Sequence, residues 1–464
     1  MTRLGVQTEA PAEFRVKSEN QLPEAEPSRS EAHSLPRPRA PGALAHLRQV
    51  LRALSSRNYR LFFAGQGISL LGTTLQQVAL GWYVYRLTGS QVLLGTIGFL
   101  NQIPGLFLSP IAGALSDRVD GRRALMSVQG GLMLQAILVA AFIITGHASV
   151  PMLLCLAGFQ GFLNAFDLPF RQTVVPNLVE NRQQLPSAIA LNSALFNVAR
   201  ILGPSLGGIL VATVGEQVCF LANGATYLAV LAALLAIRMP TMAIVPSRPR
   251  IVVDIAEGLG YIRHHRPIRD LLLLLAANNF LGLSYVVLFP VIARDALHGD
   301  PHTLGFLMGA AGVGSLAAAL RLASRRSLRG LFKSISFCAM LSAAALATFA
   351  AVRTLPATLL LVAVAGFGFI SVSGATNTIL QTLVGDEMRG RVMSLYTVAF
   401  VGSTPFGNLF LGWLAHRWCV RSAISFSGGL LLLVTAVFAA RLNSLRAAVR
   451  PIYIDLGIMP WHED

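Results

Sequence analysis

The sequence predicts an all-α polytopic membrane protein, with twelve transmembrane helices in two pseudo-symmetric six-helix bundles. Three observations carry this expectation. Of 464 residues, 54% are hydrophobic and only 12% charged, about half the charged fraction of a soluble domain. The apolar residues fall in runs long enough to cross ~30 Å of hydrocarbon, and the mean hydropathy is +0.61. Features also recur between the halves: Gln172-Thr173 and Gln381-Thr382 end matching runs, and Gly203-Pro204 is echoed by Gly402 with Pro405.

Taken in order, residues 1–56 are rich in Pro, Glu, Ser and Arg. They read as a disordered cytoplasmic tail without a signal-peptide run. The tail ends in a basic amphipathic piece, Leu44–Leu54, suited to lie against the membrane. The first bundle, 57–238, holds spans at 60–86, 91–115, 123–145, 150–172, 186–213 and 217–238. A cytoplasmic linker, 239–268, contains an amphipathic helix over Val252–Arg263. The second bundle, 269–441, holds spans at 269–293, 303–322, 331–352, 356–381, 391–415 and 420–441, and 442–464 form a C-terminal tail. The four short loops on the side of residues 116–123 carry twelve Arg and Lys, against five in the loops opposite. Basic loops stay inside, so both termini are expected in the cytoplasm and the protein in the inner membrane.

The net charge of +16 does not indicate nucleic acid, because such binders gather their cations on one face, whereas here Arg punctuates the apolar runs. Cys155, Cys219, Cys338 and Cys419 lie far apart, without metal or disulfide spacing. Gly65, Gly67 and Gly72 fall inside span 1 with no strand before them, and no Walker loop is present. No enzyme activity, cofactor or metal is expected. Duplicated six-span halves are instead a transporter signature, with the substrate site between them near the bilayer midplane.

Two stretches carry physical signals of their own. In Gly113–Arg123, G-A-L-S-D-R-V-D-G-R-R, Asp117 can bond free amides at a helix start. Arg118, Arg122 and Arg123 mark a membrane face, and Gly113 lets a neighbouring helix come close. In Ala199–Gly208, A-R-I-L-G-P-S-L-G-G, Pro204 removes a backbone bond while Gly203, Gly207 and Gly208 permit tight helix contact.

Gly113–Arg123 resembles the loop between spans 2 and 3 of the major facilitator superfamily, and Ala199–Gly208 resembles the antiporter motif of its exporters. With Asn164–Gln172 (N-A-F-D-L-P-F-R-Q), Leu185–Arg200 and Arg389–Phe400 (R-G-R-V-M-S-L-Y-T-V-A-F), the likeness narrows. It is to the enterobactin-exporter-like branch, the transmembrane secretion effectors, over about residues 57–441. Asp120, where the superfamily usually has Gly, fits that branch.

The resemblance implies efflux of a siderophore-like or other amphipathic small molecule by alternating access, with proton antiport. An uptake or facilitative carrier, or a non-transporting sensor, would keep the same fold. Ala157 stands where drug/proton antiporters have Arg before Gln160-Gly161, so the resemblance does not carry that route to coupling over to this chain. A monomer in the lipid bilayer is expected.

As gate parts the resemblance suggests the Gly113–Arg123 loop, the span 5 glycines with Pro204, and Pro405. Arg389 and Arg391 belong to the same set, and Asp117 would bond the amides at the start of span 11 near Arg391 and Val392, where a helix is partly positive. Asp167 and Arg171, four apart on one helix face, read as a gate pair with Asp117 and the charges of span 11, as a proton site, or as a solvated pair. Arg200, mid-span, costs ~2.5–3.5 kcal/mol on insertion scales. It therefore serves substrate or coupling, or is a structural anchor bonding carbonyls or Asp167. Asn197, Gln76, Gln77, Asn101, Gln102, Asn278, Asn279 and Asn377 either line the pathway or bond between helices.

Overall fold

Long apolar runs without competing polar partners leave the backbone one solution in lipid, the internally bonded helix. The computed structural model describes residues 51–116, 118–237, 251–325 and 328–455. The side chains of Arg182, Asn197, Arg200, residues 251–256, Asp386, Ile452 and Asp455 lie outside the description. Residues 1–50, including the first part of Leu44–Leu54, and Asp117 lie outside it altogether, whereas the end of the expected tail, Leu51–Ser55, forms a 3-10 turn with Ala53 buried. Among the described residues there is no strand.

Eleven described helices are long and apolar enough to cross a membrane. They are Gln91–Ser116, Gly121–Ile144, Val150–Asn177, Leu185–Val214, Glu216–Ala236, Arg266–Ala296, Pro301–Ala323, Leu331–Ala351, Leu355–Leu383, Glu387–Arg417 and Val420–Ala440. These are spans 2 to 12. Span 1, Arg57–Thr88, has 32 residues but is diluted by Gln66, Gln76 and Gln77. It completes the first bundle by packing on spans 5 and 6.

The two halves repeat one packing scheme. Span 2 lies on span 4 as span 8 lies on span 10, and span 3 meets spans 4 and 6 as span 9 meets spans 10 and 12. The halves join where span 2 crosses span 11 and span 5 crosses span 8. The linker helix, Ile251–His264, packs against the start of span 11. A further helix, Leu442–Asp455, occupies much of the stretch expected as a plain tail and packs on spans 7 and 9.

The symmetry breaks in backbone detail. Span 5 stays helical through Pro204, but its counterpart, span 11, opens into a π-turn at Val398–Gly402, just before the buried Pro405. Span 7 has π-turns at Asn278–Gly282 and Ile292–Ala296, with a 3-10 stretch at Leu283–Leu288 between them. Side-chain hydroxyls take up the displaced carbonyls, as they must in lipid. Ser284 Oγ donates to Asn279 O at 2.9 Å and to Thr404 O at 3.2 Å, and Ser427 Oγ donates to Leu281 O at 2.6 Å.

Candidate substrate pathway

Two adjoining cavities lie between the halves. One of about 400 Å³ is bounded by spans 1, 2, 4, 7, 8 and 11, and includes Gln76, Gln77, Asn101, Gln102, Gln160 and Asn408. The other, about 480 Å³, lies toward the 116–123 end and includes Gln66, Gln129, Asn164, Asp167, Arg171 and Tyr227. Both are bordered by Gln77, Leu283, Val286, Phe289, Met308 and Phe400. The boundary between the chambers is therefore an apolar ring with one amide on it.

Gln76 and Gln77 are neighbours with opposite surroundings. Gln76 is 1% exposed and sits in a chain of amides, accepting from Asn223 Nδ2 at 2.6 Å and donating to Gln135 Oε1 at 2.9 Å. It binds spans 1, 3 and 6 together. Gln77, turned 100° around the helix, is exposed into the cavities. On the opposite wall Asn101 donates to Gln160 Oε1 at 2.9 Å, joining spans 2 and 4, and Gln102 lines the same chamber.

Asp167 and Arg171 are the only charged residues lining either cavity among the described residues. One turn apart on span 4, they form a buried ion pair, and Gln129 Nε2 of span 3 donates to the Asp167 carboxylate at 2.6 Å. The Arg171 guanidinium lies 5.3 Å from the centre of the Phe196 ring, and its Nε and Nη1 are buried without partners. At the start of span 11, Arg391 and Arg389 find partners nearby, while Asp117 lies outside the described residues. Arg391 pairs with Glu257 of the linker helix at 2.7 Å, and Arg389 donates to Val384 O at 3.5 Å.

The closed end of the pathway is the one away from residues 116–123. There span 2 meets span 11 through glycines: a Cβ on Gly412 would sit 2.7 Å from Gln91 O and 3.1 Å from Gly95 Cα. Span 5 meets span 8 in the same way, with a Gly208 Cβ 2.6 Å from Pro301 O and 3.0 Å from Gly305 Cα. Tyr85 at the end of span 1 hydrogen-bonds Asp295 of span 7, and Arg294 donates to Tyr85 O at 3.4 Å. Sequence reasoning missed this closure. Its legible signal was a glycine near the same end of spans 2, 5, 8 and 11.

Several expected residues lie elsewhere or act differently. No described neighbour comes within 4 Å of a Cβ on Gly113, so the close approach expected there is not made in this conformation. Asp120 caps span 3, accepting from the amides of Arg122 and Arg123 at 3.0 and 3.3 Å. Arg123 pairs with Asp120 at 3.4 Å. Arg122 donates to Leu234 O at 2.6 Å and Leu235 O at 3.0 Å, capping span 6, and the Arg118 amide donates to Leu115 O. Gly203 and Gly207 pack on Thr74 and Val78 of span 1, while Pro204 borders the second cavity.

Asn278, Asn279 and Asn377 border neither cavity. Asn279 donates to Leu275 O at 2.8 Å, Asn377 accepts from Gln381 at 3.0 Å, and Asn278 is fully buried in the second bundle. Asn278 and Asn279 are thus fully buried side chains, and Asn377 is a half-buried one bonded along its own helix. The side chains of Asn197 and Arg200, like Asp117, lie outside the described residues.

Two helical bundles joined face to face, with a cavity between them closed at one end, define a membrane transporter of the major facilitator type. The transmembrane secretion effector family matches residues 49–451, and the chain belongs to it. It is 24% identical to the staphyloferrin A transporter of Staphylococcus aureus, over 82% of this chain and 95% of that one. It is 27% identical to the multidrug efflux pump Tap of Mycolicibacterium fortuitum, over 84% and 95%. With macrolide efflux protein A of Streptococcus pyogenes the identity is 24%, over 84% and 98%. The fold is also that of a bacterial homologue of the iron transporter ferroportin in its inward-facing state, with a TM-score of 0.63 and 16% identity over 83% of this chain and 98% of that one. A bacterial homologue of the lysosomal transporter Spinster, inward-facing and unoccupied, has a TM-score of 0.63 and 14% identity over 86% and 98%.

Proposed function

We propose that this transporter exports an amphipathic small molecule, siderophore-like or macrolide-like, by alternating access. The observation that supports it best is the character of the double cavity. Its walls are mostly apolar, a single exposed amide stands on the shared ring, and one ion pair lies in the chamber toward the 116–123 end. Such a space suits a solute with a large apolar surface and a few polar groups. The relatives named for staphyloferrin A, multidrug and macrolide transport point the same way.

In this reading residues 116–123 and both termini face the cytoplasm, and the conformation described is open to that side. The glycine crossings and the Tyr85–Asp295 contact form the outer gate. Asp117, Arg118, Asp120, Arg122 and Arg123 form the latch that closes the inner side in the alternate state, against the start of span 11. Arg200 serves an anionic group of the substrate. If protons drive export, Asp167 is the carboxylate on the cavity wall to carry them, and the proton must compete with Arg171 for it.

Inside-out vesicles with an imposed proton gradient test the direction. A labelled macrolide and a carboxylate siderophore should enter them. Entry only into right-side-out vesicles means uptake, and no movement of either means a non-transporting membrane protein. Gln77→Leu tests the ring. Losing one neutral hydrogen bond is worth about 1 kcal/mol, so KM should rise about fivefold while kcat changes little. An unchanged KM removes Gln77 from the substrate's path.

A further inference from the structure

A third cavity, about 320 Å³, lies at the 116–123 end of the second bundle, away from the pathway. One wall is the loop entering span 9, with Arg329 and Gly330. The other is the C-terminal helix, with Asn443, Arg446, Arg450 and Tyr453. Those four follow the i, i+3, i+7, i+10 spacing that puts residues on one helix face. Three arginines line the cavity and, among the described residues, no acidic side chain does, although Arg329 and Arg450 each also make a contact of their own.

Tyr453 is the informative group. It is 5% exposed, yet its hydroxyl has no hydrogen-bond partner. A buried hydroxyl without a partner costs about 1–3 kcal/mol, so a ligand that accepts from it would recover that. The floor is electropositive as well. The helix beginning at Leu331 runs 17 residues and has no side-chain cap, because its N-cap is Gly330 in the left-handed region, φ 75°. The first residues of that helix, Leu331 and Phe332, line the cavity, and a helix start carries partial positive charge. Behind Gly330, Arg325 has a buried Nη1 without a partner.

From this geometry we infer a binding site for a phosphate group, monoester or diester, held by Arg329, Arg446 and Arg450 with Tyr453 as neutral donor. Guanidinium forks match phosphate oxygens in pairs, and a helix N-terminus adds amide donors. The site lies at the end of the second bundle, beside the start of span 9, where a phospholipid headgroup could supply the phosphate, as could a free phosphate ester. In either case occupancy would clamp the C-terminal helix to the start of span 9.

The test uses the purified full-length protein in detergent. Thermal unfolding and binding are titrated with phosphatidylglycerol, phosphatidylcholine and glycerol 1-phosphate. Phosphatidylglycerol should raise the unfolding temperature where phosphatidylcholine does not, and the Arg446→Gln/Arg450→Gln variant should bind it at least about tenfold more weakly. The same response to glycerol 1-phosphate alone supports the site and assigns it to a free ester. Equal responses to the two lipids with none to glycerol 1-phosphate overturn the inference, and so does an unchanged affinity in the double variant. Should that variant not fold, Tyr453→Phe decides: about fivefold weaker binding supports the site, and unaltered binding overturns it.

Discussion

Gly412→Val opens the outer end of the pathway. The parent glycine lets the backbones of spans 2 and 11 touch, and even a methyl there would meet Gln91 O at 2.7 Å and Gly95 Cα at 3.1 Å. Neither obstacle is a flexible side-chain tip, so the helices must separate. Overpacking of this kind costs about 1–3 kcal/mol, and 1.4 kcal/mol already shifts a two-state equilibrium tenfold. In the proposed cycle the cost falls on the state described here, because the alternate state would part this crossing. The readout is a cysteine at position 77, facing the cavity, in a background with Cys155 and Cys419 replaced by serine. An impermeant maleimide added outside should label it about tenfold faster in Gly412→Val than in the parent. Gly158→Val is the control, since a Cβ there meets no described neighbour within 4 Å. Equal labelling rates in all three would mean the glycine crossing does not hold the outer gate.

The helices were legible because lipid leaves hydrophobic runs one way to satisfy their backbone. Span 1 was found despite its glutamines for the same reason. The breaks in spans 7 and 11 were not legible. They depend on contacts from other helices, such as Ser284 reaching Thr404 O and the Phe369 ring lying where a Cβ of Gly282 would be. No local pattern encodes a hydroxyl arriving from another span.

The cavity residues were half legible for a related reason. An amide in a membrane span must find a partner, and the sequence cannot say whether that partner is a helix or a solute. Gln76 and Gln77 are the same residue type one position apart, and only the placement of Asn223 and Gln135 separates them. Asn279 bonds its own helix at Leu275, which sequence leaves open. For Gly203, Gly207 and Gly208 the need for close contact was clear but the partners were not. The first two serve span 1 within a bundle, and the third serves span 8 across the interface. Gly113 was expected to meet a neighbour, and no described atom comes within 4 Å of a Cβ placed there.

The buried pair on span 4 gives the other large effect. Asp167→Ala removes the only carboxylate paired with Arg171 among the described residues, and the arginine's Nε and Nη1 already lack partners. Its side chain is 8% exposed, so water cannot easily replace what is lost. Breaking a buried pair from one side costs about 3–5 kcal/mol, whereas removing both charges in favour of apolar groups is often neutral. Asp167→Ala should therefore unfold at a markedly lower temperature, and Asp167→Ala/Arg171→Leu should recover most of the difference. Transport separates structure from mechanism. If the pair only stabilises the first bundle, the double variant regains transport along with stability. If it gates or couples, the double variant folds like the parent and carries nothing, and that is the expected result, because both charges stand on the wall of a cavity otherwise without charge among the described residues. An Asp167→Ala protein as stable as the parent would mean that Arg171 finds another partner, and that the pair is not what holds spans 3 and 4 in register.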